Sequence, residues 1–339
     1  MPPAPVPPAT SPFRDPRRLA ATALRLLAIT AAYYASGRLG LLEQLVIGGA
    51  KVTPLWPPTG VALTGLLLFG LGVWPAVALG ALLVIGSLGP IHLASLGIVA
   101  GNTLAPVAAC LILRRVGFRV ELDRLRDGLA LVFLGALAGM LISSTIGTAV
   151  LALDGSLPWG GFWSTWSAWW AGDAMGVLVI TPLLLALRTI RFPLEAGPLD
   201  WIEPALLLLG TVAVTLLATS TTLSLLFLVF PLLIWAALRY QLLGAAPCAF
   251  VISVISVAAA THRSGPFSRH GVVADMVLLQ ALNGCAALTG LLLAALIAEQ
   301  RNTYQRIEQA CVQLSEVVAR LAPGQAATRW LPPDEDGRP

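Results

Sequence analysis

Nothing constrains this chain more than its succession of apolar runs, most of them long enough to cross a bilayer as helices. They fall at about 19–36, 57–71, 73–88, 93–114, 127–153, 162–188, 203–219, 222–238, 242–260 and 274–298. A spanning helix needs roughly 20 mostly apolar residues, and short Gly/Pro/Ser breaks such as Gly86-Ser87-Leu88-Gly89-Pro90 separate several of the runs. Composition agrees, since 57% of the 339 residues are hydrophobic and only 11% are charged, against roughly 25% charged in soluble domains. That is too little polar surface for a water-soluble body of this length, so lipid must be the solvent for much of it. The expected fold is all-α, a polytopic transmembrane helix bundle of about ten spans. The divisions inside 56–89 and 203–238 stay open between hairpins of short helices and something more broken.

Basic residues set the orientation. With the N-terminus in the cytoplasm, sixteen of the 21 Lys and Arg residues fall in inside segments, and only Arg38, Lys51, Arg263 and Arg269 fall outside. Positive charge collects on cytoplasmic loops, so an even number of spans with both termini cytoplasmic is expected. Residues 1–18, Pro-rich and then basic, are expected to form a disordered cytoplasmic arm, and 323–339 a disordered tail. The net charge of +4 gives no reason to expect a nucleic acid. Cys110, Cys248, Cys285 and Cys311 form no CxxC pair and are read as unpaired small residues.

Past the last run the chain stays helical and turns polar. Ile297, Gln300, Tyr304, Ile307, Cys311, Leu314, Val318 and Leu321 recur at alternating steps of three and four, which is the seam of a short coiled coil. The stalk is expected over 299–322, ended by Pro323-Gly324. It is either a parallel homodimer contact or an amphipathic helix lying on the membrane or on the protein's own cytoplasmic face.

Three intramembrane groupings stand out. Trp56-Pro57-Pro58-Thr59-Gly60 reads first as a rigid helix start, and second as a ligand-facing loop. In the stretch from Phe162 to Gly176, Asp173 lies about 16 Å along its helix, where an isolated carboxylate costs at least about 2.5 kcal/mol. Gly172 and Gly176, four apart, would let another backbone approach beside it. Trp163, Trp166, Trp169 and Trp170 occupy the outer end of the same run, as an aromatic belt or as part of a ligand, ion or proton site. Asn102 and Thr103 in the fourth run, and Ser143, Ser144, Thr145 and Gly147 in the fifth, are read as helix glue and as candidates to satisfy Asp173. His262, Arg263, Arg269 and His270 are read as ordinary loop polarity, and no metal site or cofactor is expected.

The same landmarks, in order, resemble the MASE1 family of bacterial membrane sensor domains. The matching pieces are Tyr34 with Gly37-Arg38-Leu39-Gly40, then Trp56 to Gly60, Trp74-Pro75 and Gly101-Asn102-Thr103-Leu104. Leu122 to Asp127, Thr145-Ile146-Gly147, Trp169 to Gly176, Pro231 with Trp235 and Arg239, and Gly265-Pro266-Phe267 follow. The resemblance covers about 20–300 and implies a sensor domain over 19–298 in a bacterial inner (plasma) membrane, often counted as eight spans. It implies a signal-input module, usually fused to a histidine kinase, diguanylate cyclase or phosphodiesterase. Two departures matter: Ala105 stands where the family often has an acidic residue, and no output domain follows the stalk. The chain is therefore expected to work with a separate histidine kinase or diguanylate cyclase, to sequester partner subunits, or to be a remnant without an output. The lipid bilayer and a second copy of the chain are the other expected partners.

Two rival functions remain at this point. A small-solute or ion transporter fits the intramembrane Asp and the Gly/Pro-interrupted helices. An enzyme is not expected, because HExxH, GxSxG and P-loop patterns are absent.

Overall fold

The structure, a computed structural model, describes residues 16–47, 50–190, 201–221, 225–268 and 271–321. Residues 1–15, Arg191, Arg269, His270 and the tail expected over 323–339 lie outside the described residues. The helices are α1 (Pro16–Gly40), α2 (Pro57–Phe69), α3 (Trp74–Gly86), α4 (Leu93–Arg115), α5 (Leu125–Ala130), α6 (Leu141–Leu153), α7 (Phe162–Thr189), α8 (Ile202–Ser220), α9 (Val229–Tyr240), α10 (Leu242–Thr261) and α11 (Val272–Leu321). A π-helix, Leu131–Ala138, joins α5 to α6. The strands β1 (Leu45–Ile47) and β2 (Ala50–Val52) pair antiparallel, with Leu45 opposite Val52.

Among the described residues ten apolar segments thus follow one another, and seven are long and apolar enough to cross a bilayer. The shorter ones are Pro57–Phe69, Leu71–Gly86 and Leu226–Tyr240. At 13 residues, α2 and α3 each measure about 20 Å, short of a hydrocarbon core about 30 Å thick. Length alone therefore supports fewer crossings than the ten or eight expected, and the shortfall lies within the two regions where the divisions were open.

Chain direction alternates from segment to segment. The Arg25 guanidinium covers the Phe69 ring, and Arg114 donates to the Leu66 carbonyl at 3.1 Å. Asn302 donates to Asp123 at 3.2 Å and the Leu125 amide donates to Glu299 at 2.9 Å. The start of α1 and the exit of α11 therefore share the arginine-rich end of the bundle. The opposite end carries Trp159, Phe162, Trp163, Trp166 and Trp170 in consecutive ring contacts. Leu24, Leu209, Leu216, Leu217, Trp235 and Val277 are among many large exposed apolar side chains, a surface suited to lipid and not to water.

The core centres on α7, whose residues from Gly172 to Pro182 are all buried. It is flanked by α2, α6, the π-helix, α10 and α11. At the arginine-rich end the loop before α5 is held together by hydrogen bonds. Asp127, 1% exposed, accepts two bonds from the Arg124 guanidinium at 2.8 and 3.0 Å and one from the Arg119 amide. The Asp127 carboxylate raises the Arg124 pKa above its ordinary value.

Candidate functional site

The extended segment 53–56 approaches α7 closely because α7 has no side chains there. A Cβ on Gly172 would overlap the Thr53 carbonyl, and one on Gly176 would overlap the Trp56 carbonyl. Gly60 is equally constrained, by the Gly176 carbonyl and Ile180. The segment is then tied down through its backbone. The Trp56 amide donates to the Gly172 carbonyl at 3.0 Å, and the Thr181 hydroxyl donates to the Gly60 carbonyl at 3.3 Å. The Thr59 hydroxyl is shared between the carbonyls of Trp56, at 2.7 Å, and Asp173, at 3.1 Å. Pro57 and Pro58 occupy the first helical positions of α2, where a missing N–H costs nothing. The helix-start reading of this motif thus holds, and it begins beside Asp173.

Asp173 is fully buried. Its Oδ2 accepts a short hydrogen bond from the Ser143 hydroxyl, which also faces the Met140 carbonyl, while Oδ1 has no hydrogen-bond partner. Tyr33, fully buried on α1 with its ring over Gly80, also leaves its hydroxyl without a hydrogen-bond partner. Asn102, 4% exposed, also leaves its Oδ1 unpartnered. Its neighbour Gly101 packs on Ser143, a Cβ there lying 3.5 Å from the Ser143 Cα. Asp173 Oδ1, the Tyr33 hydroxyl and Asn102 Oδ1 are thus all buried without hydrogen-bond partners. Leaving a buried polar group unpaired costs about 1–3 kcal/mol, so such groups point to a role beyond packing.

Not every expected residue reaches Asp173. Ser144, next to Ser143 but a hundred degrees round the helix, turns its hydroxyl to the Met140 and Leu141 carbonyls. Thr103 bonds its own helix at Val99. Thr145 accepts from the Trp166 indole at 3.0 Å. None of the three hydrogen-bonds Asp173; of the hydroxyl and amide candidates only Ser143 does. Gly147 has a different use, since a Cβ there would strike the Trp169 ring. The Trp170 indole donates at 2.8 Å to the Leu137 carbonyl, inside the π-helix, where the i→i+5 pattern disturbs the regular ladder. Trp163 is 73% exposed at the tip.

Tyr33 and the π-helix were not foreseen. The resemblance singled out Tyr34, which faces outward. Tyr33 could have been found from its spacing with Ile29 and Gly37, one helical face whose glycine admits Val84 and Pro58.

The MASE1 family model matches residues 25–301, most of the chain. The chain belongs to the MASE1 family. MASE1 domains are membrane-associated sensor domains, and the match takes in Tyr33, Trp56, Ser143, Asp173 and the first part of α11. No curated protein and no solved structure matches the chain.

Proposed function

We propose that this MASE1 protein reads a stimulus at Asp173 and passes it through α11 to an output partner of the histidine-kinase or diguanylate-cyclase kind. The observation that carries this reading is the continuity of α11, one helix of 50 residues. Near its start the Gln280 amide donates to the Pro54 carbonyl at 2.7 Å, and Pro54 belongs to the segment that rests on Gly172. Far along the same helix Tyr304, Ile307, Cys311 and Leu314 stand exposed, while the side chains of Val318 and Leu321 lie outside the described residues. An exposed seam at heptad spacing favours a parallel pair of stalks. The arginine-rich end faces the cytoplasm in this reading, with both termini there.

Among the described residues no cationic side chain pairs with the Asp173 carboxylate, which favours a cation as stimulus, a proton or a small positively charged ligand. The module is not an enzyme and uses no cofactor or metal. A stimulus acts only by binding two arrangements of the bundle unequally, and the segment at Pro54 is where the two would differ.

The start of α2 beside an intramembrane carboxylate also suits a transporter. Reconstituted in liposomes, the wild-type protein should carry no proton or cation flux. A flux abolished by Asp173→Asn would replace sensing with transport.

A further inference from the structure

The face of α7 turned away from Asp173 meets a second group of unsatisfied polar side chains. Asn283 on α11 is fully buried and neither its Oδ1 nor its Nδ2 has a protein partner. Ser253 and Ser256 on α10 are fully buried with unpartnered hydroxyls, and Gln280 keeps its Oε1 unpartnered after giving its amide to Pro54. Their helices place them together. A small cavity of about 10 Å³ is lined by Leu178, Val179 and Pro182 of α7, by Ala245 and Ala249 of α10, and by Ala287 of α11, among others. One helical turn toward the tryptophan-rich end, Ala249 is followed by Ser253 and Ala287 is preceded by Asn283. The antiparallel register agrees, since a Cβ on Gly290 would lie 3.5 Å from the Ala245 Cβ. On the α7 side the junction is closed by Met175, whose Cε would lie 3.7 Å from a Cβ on Gly284.

We propose that this three-helix junction is a site for an uncharged hydrogen-bonding guest, and that the guest is water. The unpartnered groups argue for neutrality, because an amide and two hydroxyls both donate and accept but carry no charge to balance an ion. Burial argues for water, because fully buried polar groups without protein partners are the ones that buried waters satisfy. A water there satisfies Asn283 without binding α11 rigidly to α10, since it can exchange partners when the helix shifts. This site rests on its own residues and stands whether or not Asp173 senses anything.

Hydroxyl-radical footprinting of the purified protein tests it, because radicals formed from a bound water oxidise the nearest sulfur. Met175 and Met276, which lies against Gln280, are the reporters, and Met140, fully buried, is the dry control. The expected result is oxidation of Met175 several-fold faster than Met140, falling to the Met140 rate in Asn283→Leu. Ser253→Ala, which only removes an oxygen and threatens folding little, should lower the Met175 rate part of the way. Equal and slow oxidation of Met175 and Met140 in the wild type would overturn the proposal. So would a Met175 rate unchanged in both folded variants. An organic adduct seen by native mass spectrometry and lost in Asn283→Leu would replace water with a neutral solute and overturn that assignment.

Discussion

On its α2 side, α7 sets Gly172 and Gly176 directly under the carbonyls of Thr53 and Trp56, backbone against backbone. On its α11 side it sets the tip of Met175 near Gly284 with ordinary contact distance to spare. Backbone cannot give way, and a methionine side chain can. The α2 side also holds a carboxylate with a hydroxyl fixed on it, whereas the α11 side holds neutral groups with no protein partner. One face is built to hold a geometry and the other to let a helix shift. That is the division a relay needs: a firm seat for the stimulus and an adjustable seat for the moving part.

The glycines give the largest contrast. Overpacking costs typically about 1–3 kcal/mol, and Gly176→Ala drives a methyl into a fixed carbonyl, so its loss of stability should reach or pass that upper figure. Gly284→Ala should leave stability unchanged or raise it slightly, since alanine favours helix over glycine by about 0.5–1 kcal/mol. Thermal unfolding in detergent compares the two, and equal losses would break the contrast.

Exchanging the polar characters comes next. Asn283→Asp puts a carboxylate where no donor is fixed and should cost at least about 2.5 kcal/mol. Asp173→Asn keeps the shape and a hydrogen bond with Ser143 and should cost far less. A smaller pair concerns the hydroxyls: Ser143→Ala strips Oδ2 of its donor, at about 1–3 kcal/mol. Ser253→Ala removes no protein hydrogen bond and should lose less than Ser143→Ala. Chemical or thermal denaturation reads both pairs.

The least responsive region should be the loop that clasps α11 at its exit. Hydrogen bonding to Asp127 raises the Arg124 pKa, so this contribution is complete below the ordinary arginine value and is lost only as pH rises through the higher folded one. Hydrogen exchange of the Leu125 amide, bound to Glu299, should therefore show no pH-dependent opening between about pH 6 and 10 beyond the chemical trend.

The apolar runs were legible because lipid demands them, and most reappear as helices near their expected limits. The run at 127–153, however, is divided into α5, the π-helix and α6, and the one expected over 222–238 becomes α9 only from Val229. Pro16–Arg18, read as part of the arm, instead begin α1. The approach of another backbone at Gly172 and Gly176 was legible too, because paired small residues have few other uses inside a membrane. What the chain did not disclose was direction around each helix. Ser143 and Ser144 are equivalent in composition, yet only one points at Asp173, and Tyr33 is buried where Tyr34 faces outward. The π-helix left no pattern, since its carbonyl shift depends on how Gly139 sits against Gly135 and Ala109. Asn283 and Gln280 were hidden inside a long apolar run, where single amides look like tolerated exceptions.

The central claim is that Asp173 and the stalk belong to one device. Oxidative cross-linking at Cys311 in native membranes tests it most directly. We expect a disulfide-linked dimer to form in the wild type, and to form at a clearly different rate in Asp173→Asn. A folded protein that yields no dimer, or the same rate in both, would contradict the account.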